Sequence, residues 1–90
     1  MGVFEDMAAR IIKEQQTIIG PLALREANKV PGLKVTPENI TIDGNSKEIL
    51  QKLVEQYAKL FGDASIQLCK EVSEQYSSQL SDTDKPEFLK

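Results

Sequence analysis

Leu33-Lys34-Val35-Thr36-Pro37-Glu38-Asn39-Ile40-Thr41-Ile42 is the segment on which the reading of this chain turns. Leu33-Lys34-Val35 and Ile40-Thr41-Ile42 each alternate apolar and polar residues, the two-residue period of a half-buried strand. Thr36-Pro37-Glu38-Asn39 between them suits a tight turn, with Pro37 presetting one backbone angle. Leu33, Val35, Ile40 and Ile42 then share one face, and Lys34 and Thr41 the other. Strands this short are marginal alone, so the apolar face needs a helix to cover it. Helical patterns on both sides supply that cover. The expected fold class is therefore α+β, predominantly helical, in the order α-β-β-α.

Upstream, Phe4, Met7, Ala8, Ile11, Ile12, Ile18, Ile19, Leu22 and Ala23 recur at three- and four-residue steps, which predicts a helix from about Phe4. Glu5 and Asp6 in its first turn suit the positive end of the helix dipole. Gly20-Pro21 interrupts it, because Pro21 cannot donate to the carbonyl of Thr17 and its ring clashes there. The apolar phase resumes at once, so the pair predicts a kink or two abutting helices, and a candidate hinge at Gly20 and Pro21. Pro31-Gly32 ends this region, since a residue before proline, here Val30, avoids helical geometry.

Downstream, Asp43-Gly44 turns the chain, and Asn45 with Glu48 three residues later has the spacing of a helix N-terminal cap. Leu50, Val54, Tyr57, Phe61, Ala64, Leu68, Val72 and Tyr76 follow at steps of three and four. The phase survives Gly62-Asp63, which predicts one long C-terminal helix from Ser46 to about Ser78. The competing reading stops a helix at Gly62 and caps a further one with Asp63. Residues 1–80 form one small domain on this reading, and 81–90 a polar tail expected to fray.

Composition narrows the chemistry. With 90 residues the chain has room for a single core, and a net charge of −3 gives no basic footprint for nucleic acid. Histidine is absent, so the commonest general base and metal ligand are missing. The one cysteine excludes an internal disulfide and any two-cysteine site. Cys69 lies deep in a helix with no histidine to activate it, which reads as a structural thiol. Asp43-Gly44-Asn45 resembles the start of a calcium loop, but Lys47 and Val54 stand where oxygen ligands are required. Asp82 and Asp84 have no third ligand nearby. The carboxylates mostly alternate with Lys or Gln on polar faces, as in Glu48–Lys52 and Glu55–Lys59. No catalytic residue, cofactor site or metal site is expected.

No apolar run approaches the ~20 residues of a membrane span, and Glu5 and Asp6 stand where a signal peptide is basic. The first helix carries no basic excess for anionic lipid, so membrane association is not expected either. A free thiol in a small domain fits a cytoplasmic setting.

What remains is a non-enzymatic protein–protein interaction or regulatory module. A continuous final helix would run ~50 Å, against a diameter near ~31 Å for a compact chain of this size. Phe61, Ala64, Leu68, Val72 and Tyr76 would then be left partly uncovered. They are the candidate self-association residues of an expected homodimer, with a larger protein as a further possible partner. The alternative is a small-ligand carrier with an apolar pocket between helices and hairpin, lined by Tyr57 or Phe61.

Overall fold

The computed structural model describes residues 2–36, 38–81 and 83–89. Helix α1 (Val3–Ile19) is followed by a short helix α2 (Leu22–Ala27), strands β1 (Leu33–Val35) and β2 (Ile40–Ile42), and helices α3 (Ser46–Phe61) and α4 (Asp63–Ser73). Two 3₁₀ segments, Glu74–Gln79 and Glu87–Leu89, complete the chain. The fold is α+β and predominantly helical, as the periodicities imply.

The strands pair antiparallel with Leu33 opposite Ile42, Lys34 opposite Thr41 and Val35 opposite Ile40. Thr36 and Asn39 close the turn by exchanging backbone bonds of 2.8 and 3.3 Å. Pro37, assigned above to presetting that turn, lies outside the described residues. Leu33 and Val35 are buried and Ile40 and Ile42 half-buried, while Lys34 and Thr41 face water. The two-residue period thus sets which side meets the helices. Asn45 caps α3 as its spacing implies, its side-chain oxygen accepting from the Glu48 N–H at 3.1 Å.

The core forms where α1, α2, α3 and the inner face of β1 meet. Met7, Ile11, Leu50, Leu53, Val54 and Tyr57 are its largest apolar members, each no more than 1% exposed. Burying side chains of this size contributes about 1.5–3 kcal/mol apiece. Tyr57 satisfies its hydroxyl inside the core by donating to the Ala23 carbonyl at 2.8 Å, which ties α3 to α2.

Gly20 separates α1 from α2, so the expected junction is present. Its φ of +68° and ψ of −147° lie in a region open in practice to glycine alone. Gly62 adopts nearly the same conformation, φ +73° and ψ −157°, and it ends α3. The expectation of one long C-terminal helix is therefore corrected. Helix α4 restarts within one residue, so the three- and four-residue apolar spacing of the sequence runs on through the break, while the buried face moves by one position to Ser65, Cys69 and Ser73. The sequence periodicity does not distinguish a straight helix from a broken one across which the apolar spacing continues. Bending lets α4 pack on both α3 and α1. The molecule's longest dimension is accordingly 32 Å, well short of the ~50 Å of a straight helix.

The C-terminal segment is likewise not a frayed tail. Leu80 and Phe88 join the core and Pro86 is fully buried. The Phe88 N–H donates to Gln51 Oε1 at 2.8 Å, and Lys47 Nζ donates to the Thr83 carbonyl at 3.1 Å. The polar average of the segment hides the residues that dock it onto α3. Asp82, considered above with Asp84 as a cation ligand, lies outside the described residues. Among the described residues no helix is long and apolar enough to cross a membrane.

Candidate functional site

The large apolar side chains left exposed among the described residues are Ile18 (66%), Leu60 (49%), Phe61 (39%) and Leu22 (37%). Each lies within two residues of Gly20 or Gly62. The local sequences explain this: Ile18-Ile19-Gly20 and Leu60-Phe61-Gly62 place an apolar pair at the last turn of α1 and of α3. At each glycine the axis turns away, so the apolar stripe of the preceding helix runs past the point where its neighbours can cover it.

The two junctions meet across a groove of about 150 Å³ lined by Gln15, Ile18, Ile19, Phe61, Ala64, Ser65 and Leu68. Three of the residues assigned to self-association, Phe61, Ala64 and Leu68, are thus brought together here. Val72 and Tyr76 are half-buried against the core and take no part in the groove. Ile18 lines the groove, and Leu22 and Leu60 are exposed next to the two junctions in the chain; none of the three is among the residues assigned to self-association. The recurrence of an apolar pair directly before a helix-ending glycine is the signal that marks them. Gly20 sits at the edge of the same region, and Pro21 is exposed beside it.

Beneath the groove the inner face of α4 is made of Ser65, Cys69 and Ser73, at four-residue spacing and all buried. These small side chains let α4 lie close against α1. Gln15 donates its side-chain N–H to Cys69 Sγ at 3.7 Å within this contact. Gln15 is thus a core residue with an internal partner. Ser73 Oγ is buried with no hydrogen-bond partner among the described residues.

Burial pushes the Cys69 thiol up from 9.0 to about 11, partly offset by the Gln15 amide. A thiol protonated at neutral pH and closed to solvent is a poor nucleophile. Below pH 9 the group is protonated both folded and unfolded. Above it the unfolded chain ionises first, so stability is lost as pH rises from 9 through 11. We expect the stability advantage of the native chain over Cys69→Ala to shrink across that window, by on the order of 2 kcal/mol. Denaturant titrations of both chains at several pH values measure it. Burial also raises the nearby Tyr57 hydroxyl above its ordinary range, and Tyr57 is present in both chains.

Glu26 is the buried carboxylate, joining α2 to α3. Lys29 Nζ lies 2.9 Å from its Oε2 and Gln56 Nε2 donates to Oε1 at 2.7 Å. Those two bonds, Lys29 first, hold the carboxyl below its usual value. Both oxygens are occupied, which makes Glu26 a structural pin. Among the described residues no group of three histidine, cysteine or acidic side chains is placed to hold a metal ion.

A second concavity of about 380 Å³ opens between α1, α2 and the hairpin. It occupies the position expected for a ligand pocket, but the expected lining is not there: Tyr57 is enclosed in the core and Phe61 stands at the junction groove. Its apolar floor includes Ile12, Val35 and Ile40. Compared with protein-family models, with curated proteins and with solved structures, the chain matches none.

Proposed function

We propose that the protein is a non-enzymatic interaction module that self-associates through the apolar patch at its two helix junctions. The observation that carries this reading is the concentration of the exposed large apolar residues around Gly20 and Gly62. Ile18 and Phe61, two of the exposed apolar residues, line the groove between the junctions. A two-fold contact requires that arrangement, since each copy must offer both a recess and something to fill it. Leu22 widens the apolar area around the recess. Apolar clusters of this kind, bordered by the charged Lys59 and Asp63, mark association surfaces in soluble chains. A cytoplasmic setting belongs to the same reading, supported by the buried free thiol of Cys69.

Light scattering coupled to size exclusion tests the proposal. At micromolar concentration the chain should elute with about twice its 10.0 kDa mass. Phe61→Asp and Ile18→Asp, both at exposed positions, should each give the monomer mass with unchanged far-ultraviolet circular dichroism. A native chain of 10.0 kDa across that concentration range rejects the reading.

A further inference from the structure

We infer that the outer edge of β2 is a docking site for an extended peptide segment of a partner protein, which adds to the hairpin as a third strand. The two edges of this hairpin are treated differently. Thr36 and Asn39 exchange both backbone bonds, so Lys34 and Thr41 form the next bonded pair and the amides between them turn outward. On β1 three of the four outward groups, the Val35 N–H and carbonyl and the Leu33 N–H, are occupied. Asn28 accepts from the Val35 N–H at 2.8 Å and donates to the Val35 carbonyl at 2.9 Å, acting as a one-residue strand. The Leu33 N–H is held by the Val30 carbonyl at 3.1 Å. On β2 the outward N–H and carbonyl groups of Ile40 and Ile42 have no partner among the described residues. An open row of backbone donors and acceptors is a template for strand addition.

The second observation is the 380 Å³ concavity under the turn end of the hairpin, which Ile40 of β2 lines together with Val35 of β1, Ile12 of α1 and Leu24 of α2. A residue paired with Ile40 on an added strand lies about 4.8 Å away and projects from the same face. That face is the one turned towards α1, so the incoming side chain enters the concavity. Backbone bonds supply attachment and the recess supplies selection for an aliphatic side chain. Lys13 and Glu38 line the recess as well, one charge of each sign, which suits polar flanking residues of no uniform charge. A second copy pairing through its own β2 does not satisfy this site. Its Ile40 and Ile42 already face its own core, so it would leave the recess empty. The occupant is a chain that brings its own side chain.

Selection of a random nine-residue peptide library against the full-length protein provides the probe, and the enriched peptide is then titrated while backbone amides are followed by nuclear magnetic resonance. We expect enriched peptides to alternate aliphatic and polar residues and to shift the Ile40 and Ile42 amides saturably. Ile42→Pro removes an outward donor at an edge position where proline is tolerated. Ala9→Leu narrows the recess from the α1 side. Each should weaken binding at least tenfold while circular dichroism and the light-scattering mass stay unchanged. No enrichment over an unrelated protein overturns the inference, as does binding that maps to the Phe61 groove, or a peptide that both variants bind like the native chain. If Ile42→Pro unfolds the hairpin, the amide map and Ala9→Leu decide the matter.

Discussion

We expect Phe88→Ala to lower the stability of the chain by about 3 kcal/mol, the cost of emptying a buried aromatic site that relaxes only in part. Phe88 is 8% exposed and belongs to the same core as α1 and α3, although it is the third residue from the end of the sequence. Its N–H is held by Gln51, so the backbone on either side of the vacated site stays in place and does not collapse into it. Gln51→Ala removes only that acceptor and should cost about 1 kcal/mol. Urea denaturation of the two variants measures the difference. A frayed C-terminus would leave both at the native midpoint.

Gly32→Ala is expected to cost about 2–4 kcal/mol. Gly32 stands at φ +85°, a conformation that costs an L-residue about 1–2 kcal/mol. Space is also lacking: a Cβ there would sit 2.5 Å from the Asp43 carbonyl oxygen and 2.9 Å from Ile49 Cδ1. Ile49 is able to move, but the Asp43 backbone is held where it is, its N–H donating to the Gly32 carbonyl at 2.7 Å. Relief of the clash therefore breaks the bond that closes the open end of the hairpin, adding about 1 kcal/mol. Gly20→Ala is the matched control, since φ is also positive there but a Cβ meets nothing within 4 Å. The expected order of denaturation midpoints is native, then Gly20→Ala, then Gly32→Ala.

Features written in consecutive residues were legible before any coordinates. The alternation of Leu33–Val35 and Ile40–Ile42 gave the strands and their buried face, Asn45 and Glu48 the start of α3, and Gly20-Pro21 the junction after α1. What escaped the reading depends on contacts between distant segments. The apolar spacing runs on through Gly62, so the sequence pattern is the same for a broken and a straight chain. On α4 the apolar pattern runs through Ala64, Leu68 and Val72. The helix instead buries Ser65, Cys69 and Ser73, because close approach to α1 rewards small side chains over apolar ones. Phe88 was masked by the acidic and hydroxyl residues before it. The candidate surface was legible in part: Phe61, Ala64 and Leu68 are named in the sequence reading, but Ile18 falls in the stripe of the first helix and is exposed because that helix ends at Gly20. The open β2 edge was not legible at all, since it is defined by Asn28 closing the other one.

The conformation of Gly62 also governs the molecule's connectivity. The surfaces joining α4 to α1 are the same whether the two helices belong to one chain or to two. A chain straightened at Gly62 would carry α4 away from its own α1, free to seat on the α1 of a neighbour that returns its own α4 in exchange. Such a trade re-forms the α1–α4 contact between two copies in place of within one. The left-handed glycine is thus what keeps the segment at home, and alanine at this position, a better helix former than glycine in the extended form, would favour a domain-swapped pair.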